Sequence, residues 1–244
     1  MSAPAFDAVA IGNAIVDIIG QCDDAFLERH GSAKGSMRLV EVSEAAALYD
    51  NMGPALEVSG GSAANTMVGL ASFGGAAGFI GKIADDSFGA VFAHDIRAAG
   101  VAFTTPASTG TEPTALSLVL VTPDGERTMH THLGVSPDLG DAELDGALLE
   151  STRVVYLEGY LFDRDKAKAA FHNAAAMARK AGGKVALSLS DSFCVDRHRE
   201  AFQQLVANGV DILFANQDEI TALYQTQSVD DALTQLQQGG PSFT

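Results

Sequence analysis

Apolar and polar positions along the chain follow two rhythms. Short apolar runs at 7–12 (DAVAIG), 15–19 (IVDII) and 78–83 (GFIGKI) predict strands. Ala-rich segments at 43–51, 62–74 and 86–99 carry the helical spacing, and the last is expected to stop at Gly100, since helix C-termini favour glycine. The β-rich runs 115–122 (ALSLVLVT) and 127–132 (RTMHTH) flank Pro123-Asp124-Gly125-Glu126, a turn sequence, and so predict a hairpin. From 153 onward the pattern alternates strictly: strand 153–157, helix 165–181, strand 184–189, helix 196–208, strand 210–214, helix 217–224. Such alternation predicts βαβ units with a parallel sheet, its right-handed crossovers covering both faces with helices. The expectation is one α/β domain over 1–244 with a β-rich insertion near 104–133.

Composition narrows the class. With 244 residues, 47% hydrophobic and 19% charged, the chain is globular, and no run approaches the roughly 20 apolar residues of a membrane span. The N-terminus MSAPAFDAVAIGNAIVDIIG has no basic n-region, and Asp7 and Asp17 interrupt it, so it does not read as a signal peptide. Acidic residues number 31 against 15 basic ones, a net charge of −16, which repels phosphate backbones and argues against nucleic-acid partners. Cys22 and Cys194 form no CxxC pair, consistent with a reducing compartment. A soluble cytoplasmic protein, without membrane or nucleic acid, is expected.

Three common motifs fail. Gly81-Lys82 is followed by Ile83, and the position five before Gly81 is Ala76, so there is no Walker loop. Gly75, Gly78 and Gly81 have the wrong spacing for a dinucleotide fingerprint, and no G-x-S-x-G elbow occurs. His130 and His132 share a strand face but lack obvious companion ligands, and are expected at the surface.

Three polar groups at strand ends remain, each readable in two ways. Asn13 and Asp17 interrupt an apolar strand pair: Asp17 can accept hydrogen bonds from a diol, or be solvated at a strand edge. Ser59-Gly60-Gly61-Ser62-Ala63-Ala64-Asn65 leads into a helix: the paired glycines allow close backbone approach to a ligand and Asn65 faces a hydroxyl, or the segment is an ordinary capped helix start. Asn216 and Glu219, three apart after the strand VDILF, can organise a hydrated magnesium ion, or form a capping box.

The order and spacing of these elements resemble the ribokinase-like (PfkB) carbohydrate kinases, within them the adenosine kinase-like branch. The matching stretches are GNAIVDI (12–18), GGSAAN (60–65), GFIGKIADDSFG (78–89), TPDGERTM (122–129), LEGYLF (157–162) and NQDE (216–219). The resemblance implies a Rossmann-like, mostly parallel sheet flanked by helices. A small β-sheet lid, discontinuous within roughly 14–40 and 104–133, would close over the acceptor. It also implies ATP-dependent phosphorylation of the primary hydroxyl of a nucleoside (adenosine) or sugar. Asn13, Asp17, Gly60, Gly61 and Asn65 would bind the acceptor. Asn216 and Glu219 would serve the ATP phosphates, Glu219 holding Mg2+ through water, and Glu158 is a further cleft candidate. A homodimer is compatible with the family.

The family's base and anion hole lie in a D-x-x-G-A-G-D element that these 244 residues do not contain; the last glycine pair, Gly239-Gly240, is followed by Pro-Ser-Phe-Thr. The resemblance therefore implies a family fold with its C-terminal part missing. No catalytic residue can be assigned, and little or no transfer by this chain is expected, with stability below that of the complete fold. The alternatives are a ribose, fructose or 2-keto-3-deoxygluconate type of sugar kinase, and a non-catalytic ligand-binding remnant.

Overall fold

The computed structural model describes residues 4–239. In chain order the strands are β1 (Phe6–Ile11), β2 (Ile15–Gln21), β3 (Met37–Leu39), β4 (Ala55–Gly60), β5 (Ala77–Ile80), β6 (Val101–Ala102), β7 (Ala115–Val121), β8 (Arg127–His132), β9 (Thr152–Glu158), β10 (Lys184–Ser188) and β11 (Ile212–Phe214). The helices are α1 (Asp24–Arg29), α2 (Val42–Asn51), α3 (Ser62–Ser72), α4 (Ser87–Ala98), α5 (Gly146–Glu150), α6 (Asp165–Lys180), α7 (Ser192–Gly209), α8 (Gln217–Tyr224) and α9 (Val229–Gly239).

Six strands form a parallel sheet in the order β11-β10-β9-β1-β5-β6. Its centre, β1, is apolar on both sides because helices cover both faces. Val9 and Ile11 enter the core built with α6 and α7, while Ala10 enters the one built with α3 and α4. Small residues let the helices lie close: α6 buries Ala167, Ala170, Ala174 and Ala178, a stripe at helical spacing. From β1 the chain moves outward through β5 and β6, then returns to β9 on the other flank and moves outward through β10 and β11. The reversal between β1 and β9 is a topological switch point, where open α/β sheets leave a crevice at their carboxyl ends.

A second, mixed sheet of five strands has the order β3-β8-β7-β2-β4. The expected hairpin is its β7–β8 pair, antiparallel from Leu116↔His132 to Val121↔Arg127. Two of the five strands lie in the 104–133 insertion; β2 and β3 lie within 14–40, and β4 lies outside both ranges. One face packs Val16, Ile18, Leu118 and Leu120 into the core shared with α3 and α4. The opposite face holds Asp17, Ile19, Leu56 and Leu39.

The structure corrects several expectations. β3, β4, β6, α1 and α5 have no counterpart in the pattern, since each is short and ordered by tertiary partners rather than by its own periodicity. The helix expected at 196–208 begins earlier, at Ser192 behind an Asp191 N-cap, and kinks at His198. His130 and His132 are not at the surface. They pair with Leu118 and Leu116 on the core-facing side, where His130 is 1% exposed and His132 half-buried. Among the described residues no group of three or more His, Cys, Asp or Glu is placed to hold a metal, and no helix is long and apolar enough to cross a membrane. The Gly-Pro-Ser-Phe-Thr tail at 240–244 lies outside the described residues.

Candidate functional site

Two of the site candidates, Asn13 and Glu158, flank the switch point. Asn13 leaves the carboxyl end of β1 and Glu158 ends β9, the two strands that flank the reversal. Glu158, only 1% exposed, ties three segments together. Its Oε2 accepts hydrogen bonds from the Asn13 backbone N–H (2.7 Å) and Nδ2 (3.1 Å), and its Oε1 from the Ala63 N–H at the start of α3 (3.0 Å). Burial pushes the Glu158 carboxyl above its usual range, and the donors from Asn13, Ala63 and Ser62 oppose that rise.

Asn13 is itself 4% exposed, and its amide is engaged at both ends: Nδ2 with Glu158, Oδ1 accepting from the Ser136 hydroxyl at 3.0 Å. One N–H and one lone pair remain on that side chain for anything else.

Asp17 is placed differently. It sits on the second sheet's open face, paired with Val58 of β4 and Ser117 of β7, and among the described residues no donor is hydrogen-bonded to its carboxylate. Burial raises its pKa from 3.8 to about 6, and Arg127 pulls it only partly back. A half-buried carboxylate with unused acceptor capacity is suited to bind hydroxyl donors.

The paired glycines have separate structural reasons. A Cβ at Gly60 would lie 2.3 Å from Asp17 Oδ2, so glycine there makes room for that carboxylate. Gly61 has φ +98° and would bring a Cβ to 2.3 Å from the Asn13 carbonyl oxygen, so a side chain is barred twice over. Gly61 is the N-cap of α3, whose first turn presents small residues and then Asn65, exposed on the helix surface.

On the far flank, Asn216 and Glu219 form a complete capping box at the start of α8. Asn216 Oδ1 accepts from the Glu219 N–H (2.9 Å), while Glu219 accepts from the Asn216 N–H (3.1 Å) and Nδ2 (2.8 Å). Glu219 is 7% exposed and Asn216 is exposed. Both Glu219 oxygens carry a hydrogen bond, so direct metal ligation would compete with the cap. A hydrated ion reached through water, the form magnesium favours, fits the remaining lone pairs.

Two aromatic residues that the sequence does not single out stand at the same edge of the sheet. Tyr160 follows β9 and is 40% exposed; Phe193 follows β10 and is 73% exposed. Burial pushes the Tyr160 phenol up to about 12, helped by the charges of Asp191, Glu158 and Glu219. No periodicity marks these residues; an aromatic just beyond an apolar strand was the available signal.

The pfkB family carbohydrate kinase model matches residues 37–243. The crystal structure of adenosine kinase from Sinorhizobium meliloti is 49% identical with a TM-score of 0.86, over 97% of this chain and 72% of that one. A probable sugar kinase from Rhizobium etli CFN 42 is 45% identical with a TM-score of 0.86 over the same shares. The ATP-dependent ribose-1-phosphate kinase of Halopiger xanaduensis is 31% identical over 189 residues, covering 74% of this chain and 59% of that protein. The chain spans about half the length of the curated relatives it matches. With the family match running from β3 through α9, over a six-stranded parallel sheet and a second sheet of five strands, the chain belongs to the pfkB family of carbohydrate kinases.

Proposed function

We propose that the protein serves ATP-dependent phosphorylation of the primary hydroxyl of a nucleoside, adenosine foremost. Asp17 carries this reading: a carboxylate with no hydrogen-bond donor among the described residues, cleared by Gly60, on the open face of the second sheet, in the strand that follows the turn after β1. It accepts the vicinal hydroxyls of the ribose, and Gly61 and Asn65 complete the contact. Asn13 acts mostly from behind, since its amide is already engaged with Glu158 and Ser136. The exposed rings of Tyr160 and Phe193 suit the flat face of a nucleobase. The 49% identity to the Sinorhizobium meliloti adenosine kinase supports the nucleoside over a free sugar.

Transfer of the γ-phosphoryl group needs positioning and charge stabilisation more than covalent chemistry. In this reading Asn216 and Glu219 face the nucleotide phosphates, Glu219 through water. When bound, magnesium would neutralise charge on the transferring phosphate. The five-stranded sheet is the lid that keeps competing water out. These 244 residues contain no D-x-x-G-A-G-D element, and no other Asp here is assigned to deprotonate the acceptor, so the isolated chain binds acceptor with little or no transfer. Met37, Leu39 and Leu56, 48%, 59% and 61% exposed on one sheet face, support a homodimer, which light scattering tests.

The curated relatives named fructokinase and ribose-1-phosphate kinase favour a sugar as the second reading. Calorimetry of the 244-residue chain with adenosine, ribose and fructose separates the two. Tight binding of adenosine alone supports the nucleoside, and tighter binding of a free sugar overturns it. Phosphate transfer from ATP by the pure chain would overturn the inactivity.

A further inference from the structure

The hydroxyl of Ser136 is fully buried and stands between two segments distant in sequence. It donates to Asn13 Oδ1 (3.0 Å) and accepts from the Ala14 N–H (3.1 Å). Ser136 lies just after β8, where the chain leaves the β7–β8 hairpin; Asn13 and Ala14 form the turn that leads from β1 into β2. The path from the hairpin therefore runs Ser136 to Asn13 to Glu158 to Ala63, all buried and all hydrogen-bonded. Ala14 precedes β2 by one residue, and Asp17 is the third residue of that strand.

We infer that Ser136 is a positioning residue for acceptor binding: by clamping both Asn13 and Ala14 it fixes the root of β2, and with it where Asp17 is held relative to the switch point. The inference rests on the reading of Asp17 as the acceptor's carboxylate. Other hydroxyls at the ends of the second sheet's strands bond different groups. Thr114, also fully buried, bonds Asp86 and Ala84 at the entry to β7, and Ser59 bonds Asp95 at the end of β4. Neither of those touches the turn before β2. Ser136 alone among these three hydroxyl residues reaches the Asn13–Glu158 pair, so its loss should disturb Asp17 selectively. Two hydrogen bonds to backbone and amide at a buried hydroxyl leave little freedom for that turn while they hold.

The test compares Ser136→Ala with Thr114→Ala in the 244-residue chain. Adenosine affinity is measured well below the melting temperature of both variants. Ser136→Ala is expected to weaken it at least about tenfold, as misplacement of a binding group does, and Thr114→Ala less than about twofold. A second readout needs no ligand: the Asp17 carboxyl is titrated by carbon-detected NMR. Its titration is expected to move in Ser136→Ala and to stay in place in Thr114→Ala. Should the wild type bind no adenosine, ribose or fructose, the acceptor reading falls and the Asp17 titration still decides the positioning role. Equal affinities, or an unmoved Asp17, overturn the inference. If Ser136→Ala does not fold, hydrogen exchange of the wild type serves instead: protection of the Ala14 amide like that of β2 supports the clamp, and loop-like exchange overturns it.

Discussion

The Asp17 carboxylate leans across the β2–β4 pairing onto Gly60, so closely that a Cβ there would lie 2.3 Å from Oδ2. The first glycine of the Gly-Gly pair is thus explained within the protein, by the space a carboxylate needs, before any ligand is considered. Gly60→Ala is expected to swing Asp17 aside and cut acceptor affinity by about tenfold or more. Gly61→Ala is expected to cost stability as well as acceptor contact, about 1–3 kcal/mol for a forced positive φ. Calorimetry and urea denaturation on the two variants would separate the effects; equal behaviour would remove the distinction drawn between the two glycines.

Asp17→Asn trades binding against stability. Burial raises the carboxyl to about 6 from 3.8, so the folded protein holds this proton more tightly than the unfolded chain. The stabilisation that gives is complete below pH 3.8 and is lost as pH rises through 6. At pH 7.5 the asparagine variant should therefore be the more stable, by on the order of 1 kcal/mol after allowance for solvent screening. The difference should close towards pH 4 as the wild type is protonated. Acceptor affinity of the wild type should fall as pH drops below about 6, and the variant should bind weakly throughout. Flat affinity from pH 5 to 8 would argue against Asp17 as the hydroxyl acceptor.

Glu158→Gln keeps shape and loses charge, yet should destabilise. Asn13 presents two donors to one oxygen, and the Ala63 N–H faces the other. Whichever end the new amide nitrogen occupies, it meets a donor, and the unmatched group costs about 1–3 kcal/mol. A denaturation midpoint equal to or above that of the wild type would show that the carboxylate's burial cost outweighs its hydrogen bonds.

His130 makes the acid side of the stability profile testable. Burial holds its pKa below the usual value, and the neighbouring Arg38 adds to the effect. The unfolded chain therefore takes up this proton first. The stability contribution is present above pH 6.5 and is lost as pH falls below it. Its Nε2 hydrogen-bonds the Ser32 hydroxyl at 3.0 Å, so His130→Gln retains a polar partner. The variant should lose less stability than the wild type between pH 7.5 and 5.5, measured by urea denaturation at each pH. Identical losses would mean that His130 takes up its proton alike in the folded and unfolded chains.

The sequence by itself determined the alternation that makes a parallel sheet, because apolar runs and amphipathic helices are local patterns written in consecutive residues. It also made the family legible, since GGSAAN and NQDE are contiguous strings. Asp17 and Gly61 could be singled out for the same reason: a charge inside an apolar strand and a paired glycine are visible one residue at a time. What only the tertiary structure decided is how those residues are used. β4, mostly exposed or half-exposed along its first four residues, becomes a strand only because β2 supplies its hydrogen-bond partners. His130 is buried because its register opposite Leu118 turns it inward. Asn13, read as a ligand for hydroxyls, turns out to be bonded to Glu158 and Ser136, residues 145 and 123 positions away. Hydrogen bonds over such separations leave no periodic trace in the chain, so the division between groups that hold the site and groups free to touch a ligand emerges only when the strands are brought together.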